Sequence, residues 1–451
     1  MSYGFANRLV PAAFPLKFTA GFLPGKKRIE NMKRLIILAV LLLSPMSAGA
    51  QELGGGYNQF IPDIYNGLVA RSKVKWVRAF LNIPRNYLVF DPMCIDFGCV
   101  VNVLSSNISE PPDAVSTEDE MLAIAAASKI PELKSVSVDG QPIKIILSLK
   151  LDYKYQNMGV PSVDSPAGQY LMSAIEELLT NANLGSYIDI LVVGNEPMFE
   201  VPISEAGRCP DGNYCKLLNA LIDEVYGLKA ANGWSYQIFT GALNHAYENG
   251  TTIPPNPILA DIIDITKTNP KVSGIDLHEH VQSVAEADSD LNFIRNTEGI
   301  TKEIISTEFS LVELWNSHAN DHLGAWGARN GFSRDTLLYQ WLNYLMVIAA
   351  QGHPIGKGKF MSYFAAQSWY PKGWFSAFFN VFQKYGVYAA TYGLQVTPPV
   401  PLVPLTSDSQ LWVLNWVYNG TLLGMGADGF YNINPLVYAD FRNVIKAQMK
   451  P

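Results

Sequence analysis

The sequence is poor in charged residues, in histidine and in cysteine. Of its 451 residues, 16% are Asp, Glu, Lys or Arg and 48% are hydrophobic. This balance excludes an intrinsically disordered chain and is typical of a protein with a large core. No internal repeat of the kind that builds solenoids and no low-complexity linker occurs. The chain therefore reads as a folded globular protein.

The N-terminal apolar run is too short to span a bilayer as a helix. It covers residues 35–43, follows Met32-Lys33-Arg34 and precedes Ala48-Gly49-Ala50. A basic start, an apolar stretch and a small-residue cleavage site are typical of a secretory signal peptide. We interpret residues 32–50 as that signal peptide. Residues 1–31 would then result from a start codon assigned too far upstream. The alternative is that Met1 is the true start and the signal is internal. The mature chain would be 51–451, secreted or periplasmic.

The mature chain is predicted to be acidic. Residues 1–50 hold seven of the 33 Lys and Arg and one of the 40 Asp and Glu. The 26 basic and 39 acidic residues that remain give a net charge of −13. Such a surface argues against nucleic acid and anionic membrane as partners and suits a neutral substrate. We expect a monomer.

The four cysteines fall into two close pairs, Cys94 with Cys99 and Cys209 with Cys215. In an exported protein such pairs are predicted to form local disulfides that close short loops. Their spacing is also loosely metal-like, so a zinc site is the alternative.

Strand-like apolar runs alternate with helix-like stretches along the chain. Eight runs are predicted as strands, at residues 54–60, 74–81, 143–149, 188–193, 236–241, 272–277, 303–306 and 360–366. Several are apolar throughout, as parallel strands buried on both faces are. Predicted helices lie between them, at 63–73, 117–133, 168–183 and 216–231. Eight such units in order predict an α/β fold, a (β/α)8 barrel. No Gly-rich phosphate loop follows the first strand, which argues against a nucleotide-binding sheet.

The chain is longer than the roughly 250 residues of a minimal barrel. We expect the surplus in long loops after strands two and seven, at 82–141 and 309–359. A short C-terminal extension from residue 397 is predicted to end in a helix at 435–450.

Two glutamates follow predicted strands at the rim where such barrels carry their active sites. Strand four leads into Gly194-Asn195-Glu196-Pro197, and strand seven leads into Thr307-Glu308-Phe309. Two carboxyl groups facing one cleft suit glycoside hydrolysis, in which a neutral carboxylic acid protonates the leaving oxygen and an ionised carboxylate attacks the sugar.

These residues resemble clan A of the retaining glycoside hydrolases, which includes cellulase-like and β-glucanase families. The resemblance covers roughly residues 51–395. It implies that Glu196, in Asn-Glu-Pro, is the acid/base, that Glu308 is the nucleophile and that Asn195 binds the 2-hydroxyl of the sugar. It also implies a β-linked glycan as substrate and polysaccharide degradation as the role, with no cofactor and no metal.

Further positions fit the resemblance. Arg78 closes strand two, where cellulase-like families carry an Arg beside the nucleophile, and a fixed cation there would keep Glu308 ionised. After strand six the clan often shows His-x-Tyr. Here His278 fits the first position and His280 replaces the tyrosine, which leaves open what orients the nucleophile. Trp369, after the predicted strand eight, is the candidate for the tryptophan that floors the sugar site.

Other readings of these residues stay open. Glu196 would otherwise be a surface carboxylate before proline, and Arg78 a structural ion-pair partner. Glu200 lies off the strand end and is predicted to be solvated. A non-catalytic carbohydrate-binding barrel is the first alternative function. A metal-dependent hydrolase that uses His278 and His280 is the second. The polysaccharide, its linkage and endo or exo action stay open.

Overall fold

The computed structural model describes residues 52–56, 66–83, 122, 125–126, 128–154, 159–205, 209–396 and 402–448. Cys94, Cys99 and the predicted signal peptide lie outside the described residues. Cys209 and Cys215 form the predicted disulfide.

Eight parallel strands close into a barrel. We number them β1 to β8: Glu52–Gly56, Trp76–Asn82, Lys144–Lys150, Ile190–Val193, Gln237–Asn244, Gly274–His280, Glu303–Ser310 and Val387–Gly393. Each strand pairs with its neighbours in sequence, and β1 closes the ring by pairing with both β2 and β8. The predicted (β/α)8 barrel is confirmed, and the predicted positions of strands two to seven overlap the observed ones.

The predicted eighth strand is wrong. Residues 360–366 lie largely in the helix Lys357–Ala365, and the barrel closes with Val387–Gly393. Phe360, Tyr363 and Phe364 are buried there while their neighbours are exposed, which is the spacing of a helix face. An aromatic-rich segment of seven residues was therefore read with the wrong period.

Helices surround the barrel. Within the described residues the α-helices are Asn66–Ser72, Ile130–Lys134, Pro166–Leu179, Pro197–Glu200, Asn213–Asn232, Ala246–Thr251, Pro257–Thr268, Val284–Asn292, Val312–Ser317, Gly324–Arg329, Leu338–Ala350, Lys357–Ala365, Trp374–Lys384, Gly420–Leu423 and Tyr438–Gln448. Shorter turns are Leu184–Ser186, Ile203–Glu205, Phe293–Thr297 and Trp412–Leu414. The connection from β7 to β8 is longer than predicted and helical, and the predicted final helix is present. Each described helix is too short or too polar to cross a bilayer.

Two short strand pairs lie outside the barrel. Ser137–Val138 pairs with Gln141–Pro142 in an antiparallel hairpin. Gln395–Val396, directly after β8, pairs in parallel with Tyr418–Asn419. The second pair ties the C-terminal extension to the barrel.

The barrel interior changes from apolar to polar along its axis. One buried cluster fills the lower part, with side chains from six strands: Trp76, Ile146, Ile190, Val192, Phe239, Ile305 and Ala389. Two residues further along β2 and β3 come Arg78 and Ser148, both fully buried. Since alternate strand residues point to the same side, these polar groups stand directly above the apolar layer. The buried charge of Arg78 therefore lies on the side of the apolar layer that faces the C-terminal mouth of the barrel.

A pair of buried carboxyls lies behind strand β6. Glu279, between His278 and His280, is 1% exposed, and Asp290 on the helix Val284–Asn292 is 4% exposed. The two share a hydrogen bond, and Asp290 Oδ1 accepts the Tyr247 N–H at 2.7 Å. Burial raises the pKa of Glu279, and burial raises the pKa of Asp290 to about 6 despite the Tyr247 N–H and the charge of His245. The pair is packed for its protonated form.

We expect this pair to make stability depend on pH. A carboxyl whose folded pKa is raised stabilises the fold below its unfolded pKa of about 3.9, and this contribution is lost as pH rises through about 6. Asp290→Asn removes the titration, so its free energy of unfolding should gain roughly 2 kcal/mol on wild type between pH 4 and pH 7. Denaturant unfolding at both pH values measures this. If the difference in unfolding free energy between wild type and Asp290→Asn is the same at pH 4 and pH 7, the prediction is contradicted.

Candidate active site

Gly194 turns the chain sharply where β4 ends. Its φ is +104°, and a Cβ there would come within 2.4 Å of the Gly241 carbonyl oxygen, so only glycine fits. The turn directs Asn195 and Glu196 into the barrel mouth. The helix Pro197–Glu200 starts directly afterwards, with Glu196 as its N-cap residue.

Irregular pairing at the ends of β5, β6 and β7 aligns three polar side chains. Register shifts occur before Leu243 in β5 and before His278 in β6. Beyond them, His278 pairs with Asn244 on one side and with Glu308 on the other. Bulges near barrel rims re-aim side chains in this way. The result is a row of Asn244, His278 and Glu308 across three strands.

Glu308 is held by two basic side chains. Arg78 Nη1 donates to its Oε1 at 2.6 Å, and His280 Nε2 lies 3.2 Å from its Oε2. Burial alone would raise the pKa of Glu308, but the charges of His278 and Arg78 and the bond from His280 hold the pKa well below its usual range. Glu308 is therefore an ionised carboxylate, and His280 supplies the second contact that orients it.

Glu196 lies across the mouth from Glu308. Its Oε1 accepts from Asn244 Nδ2 at 2.9 Å and lies 3.1 Å from His278 Nδ1. Burial raises the pKa of Glu196, but the hydrogen bond and charge of His278 outweigh it and lower the pKa to about 2. Glu196 by itself is therefore ionised, whereas the acid in glycoside hydrolysis is neutral. The proton belongs to the Glu196–His278 pair and rests mainly on the imidazole.

The other face of His278 fixes its tautomer. Thr307 donates its hydroxyl to Asp276 Oδ2 at 2.5 Å and its backbone N–H to Oδ1 at 2.9 Å. The Thr307 oxygen is then the acceptor for His278 Nε2, at 3.0 Å. With Nε2 carrying a hydrogen, the bond between Nδ1 and Glu196 holds one mobile proton. The same imidazole lies 3.8 Å from Glu308 Oε1, so it connects the two carboxyls.

Arg78 also positions Asn195. Its Nη2 donates to Asn195 Oδ1 at 2.5 Å and its Nε to Ser148 Oγ at 3.1 Å. Asn195 Nδ2 in turn donates to Glu200 Oε1 at 2.8 Å. The amide orientation is therefore set from both ends.

The prediction that Glu200 is solvated is wrong. Its side chain is 1% exposed and pairs with Lys150 Nζ at 2.8 Å, because the short helix after Glu196 folds it back beneath Asn195. Thr307 and Asp276 were not selected as site residues from the sequence either. For Thr307 the available signal was its position in the C-terminal half of β7, whereas Asp276 is the third residue of β6 and gave no such signal.

A pocket opens beside Glu308. It encloses about 290 Å³ of space, part of which is continuous with the solvent. Its lining combines the ends of β6, β7 and β8 with the C-terminal extension: His280, Thr307, Glu308, Phe309, Ser310, Tyr392, Gly393, Trp412, Asn415 and Trp416. The Trp412 ring meets the His280 ring edge to face, with centroids 4.8 Å apart.

Trp369 does not line this pocket, so its predicted role as floor of the sugar site loses its basis. It follows the helix Lys357–Ala365 and not a strand, and its ring stacks on His318 with centroids 4.0 Å apart. Trp315, Trp326 and Trp374 are core residues. The pocket beside Glu308 is lined by Trp412 and Trp416, which lie in the C-terminal extension, after the last predicted strand.

The histidine pair was also considered as a metal site. One ligand atom each of Glu196, His278 and His280 lie within 4.8 Å of one another. However, His278 already bonds Glu196 and Thr307 through its two ring nitrogens, and His280 bonds Glu308 and Ser310. A metal would have to displace these partners, so the donor set does not fit a resident ion.

No protein-family model and no curated protein matches this sequence significantly. Among solved structures, the chain is similar to the endo-β-1,6-glucanase BT3312, with 13% identity, 88% of this chain and 76% of the other covered, and a TM-score of 0.43. It is also similar to a GH53 catalytic domain from Ignisphaera aggregans, with 11% identity, 90% and 93% covered, and a TM-score of 0.38. It is similar as well to an endo-β-1,4-glucanase from Xanthomonas axonopodis pv. citri, with 10% identity, 88% of this chain and 99% of the other covered, and a TM-score of 0.41. At these values the likeness carries no argument about activity.

We expect the pair of Glu200 and Lys150 to stabilise the fold beneath the site. Glu200→Gln leaves the ammonium of Lys150, which is 20% exposed, without its anion. This should cost roughly 1–3 kcal/mol of unfolding free energy. Adding Lys150→Met should recover part of the loss, because the unpaired charge is then gone. Denaturant unfolding of the single and double variants measures both effects. Equal stability of wild type and Glu200→Gln would contradict the prediction.

Proposed function

We propose that the chain is an exported, retaining glycoside hydrolase that cleaves β-glycosidic bonds of a neutral poly- or oligosaccharide. The observation that carries the proposal is the pair of carboxyls, Glu196 and Glu308, that face one mouth and are connected by His278. The pKa of both carboxyls is lowered, but their neighbours differ. Arg78 fixes the charge of Glu308, whereas Glu196 shares a proton with His278, so the two can act as nucleophile and acid/base.

Glu308 is the nucleophile in this proposal. Arg78 and His280 hold one oxygen each, so the carboxylate is ionised and oriented before substrate arrives. An oxygen of Glu308 forms a bond to the anomeric carbon as the bond to the leaving oxygen breaks. The glycosyl-enzyme is then cleaved by water, which restores the carboxylate. We expect a carboxyl separation of about 5–5.5 Å during the reaction, as retaining enzymes show.

Glu196 is the acid/base in this proposal, and His278 is its proton reservoir. In the first step the shared proton passes from the pair to the departing oxygen through Glu196, which accepts it from His278 Nδ1. In the second step Glu196 takes a proton from the attacking water, and the pair is reset. The fixed hydrogen on Nε2 toward Thr307 leaves Nδ1 as the only imidazole position in this exchange.

The two alternative functions differ from the proposal in simple measurements. Residues 51–451 are purified and incubated with β-1,3-glucan, β-1,4-glucan, β-1,6-glucan and mannan. Release of reducing sugar with retention at the anomeric carbon, followed by NMR, supports the proposal. Glycan binding without release would favour a carbohydrate-binding barrel. Loss of activity with a chelator would favour a metal-dependent hydrolase.

Glu308→Ala should lower kcat by roughly 10³-fold or more, because no other group forms the glycosyl-enzyme. Added azide should restore part of the rate and give a glycosyl azide of inverted configuration. Product analysis by NMR measures this. Glu303→Ala is the matched control, since Glu303 begins the same strand at the opposite end of the barrel. Wild-type activity in Glu308→Ala would show that the nucleophile is assigned wrongly.

Glu196→Gln should slow hydrolysis most for substrates with poor leaving groups, because those need the proton. For an activated aryl glycoside the alkaline limb of kcat/KM should also disappear. In wild type that limb lies above pH 6.5. Burial lowers the pKa of His278, but Glu308 and Glu196 raise it further, so the pair keeps its proton beyond the usual imidazole range. Equal losses for all leaving groups would argue against the acid role.

A further inference from the structure

The C-terminal extension forms one wall of the pocket beside Glu308. After β8 the chain runs through Gln395–Val396, and Tyr418–Asn419 returns to pair with it. This pairing brings the preceding residues, 411–416, to the barrel mouth. The last residue of β8, Gly393, lies against the Trp416 ring, and a Cβ on Gly393 would come within 2.7 Å of that ring. The absent side chain therefore allows the indole to pack directly on the strand end.

The orientation of Asn415 follows from its neighbour. Trp315 Nε1 donates to Asn415 Oδ1 at 2.7 Å. An indole N–H is only a donor, so the oxygen of the amide must face Trp315. The Asn415 Nδ2 group is therefore turned away from it. This NH₂ is buried, with no hydrogen-bond partner among the described residues, and Asn415 is 5% exposed.

Trp416 presents a second unpaired donor. The residue is 8% exposed, and its indole N–H is buried without a partner in the described part of the chain. Buried donors are nearly always paired in folded proteins, by protein groups or by a bound molecule. Within the described residues, unpaired indole N–H groups also occur at Trp341, Trp369 and Trp374. What distinguishes Asn415 and Trp416 is that both line the pocket beside Glu308, where a ligand with acceptor atoms could pair with them.

We infer that Asn415 and Trp416 bind hydroxyl oxygens of the sugar whose anomeric carbon Glu308 attacks. This inference rests on the proposed function and names the substrate-contacting groups of the same site. The C-terminal extension then takes the place that Trp369 was predicted to fill. Residue 394, directly after β8, is a buried leucine and offers neither a donor nor an aromatic face.

The donor set also selects the class of sugar. Both groups are neutral N–H donors, so they match the lone pairs of hydroxyl oxygens. A carboxylate on the sugar would lie close to the ionised Glu308 and be repelled. The inferred ligand is therefore a neutral sugar unit and not a uronic acid.

Trp416→Phe keeps an aromatic ring against Gly393 and removes the donor, and Asn415→Asp keeps the oxygen for Trp315 and removes the NH₂. Each should lower kcat/KM by roughly tenfold or more on the 4-nitrophenyl β-glycoside of the sugar released in the polysaccharide screen. Monodeoxy analogues of this glycoside identify the contact. For one analogue, Trp416→Phe and wild type should have equal kcat/KM, because the hydroxyl that the indole binds is absent.

Trp369→Phe is the matched control, since the same change outside the pocket should leave kcat/KM within about twofold of wild type. Thermal unfolding of each variant separates folding from binding, and Asn415→Asp serves alone if Trp416→Phe does not fold. Wild-type kcat/KM in both pocket variants, with hydrolysis by wild type intact, overturns this inference and leaves the proposed function standing. If wild type hydrolyses no glycan, the proposed function fails. Calorimetry of the corresponding oligosaccharides with the same variants then decides the inference: weaker binding supports it, and equal or absent binding overturns it.

Discussion

The buried guanidinium of Arg78 is the interaction on which the rest of the mouth depends. It is fully buried and donates to Glu308, Asn195 and Ser148. A charge in such a place costs much solvation free energy unless it is paired and hydrogen-bonded. Its planar guanidinium donates to all three of these partners at once and so supplies the required hydrogen bonds. Glu308 must be ionised to pair with it, so the charge state of the proposed nucleophile follows from a requirement of the fold.

The same requirement extends outward through Asn195. Because Arg78 takes the amide oxygen of Asn195, the amide nitrogen is directed to Glu200, and Glu200 needs Lys150. Positive and negative groups thus alternate from the barrel axis toward its surface. This order leaves each of these charges with an opposite neighbour, while Glu196 and His278 share a single proton on the other side of the mouth.

The sequence was informative where a residue type occurs in few structural positions. Continuous apolar strands predicted the barrel, and a glutamate after the fourth strand and another in the seventh predicted the two carboxyls. The prediction failed where distant segments meet. The eighth strand was misplaced because an aromatic-rich helix face resembles a strand over seven residues. Glu200 was read as solvated because its partner, Lys150, lies on a different strand. Such pairings depend on tertiary contacts that local patterns do not contain.

Strand pairing near the mouth could not be predicted either, and it decides the chemistry. Without the register shift in β6, Thr307 and not Glu308 would lie opposite His278. With it, the imidazole reaches both carboxyls, and the bond between Glu196 and His278 holds the proton that the proposed hydrolysis would use. A carboxylic acid kept neutral by burial alone would need an apolar pocket, which the polar row of Asn244, His278 and Glu308 does not provide. A shared proton removes that need, so the acid can lie among polar groups that also contact the nucleophile.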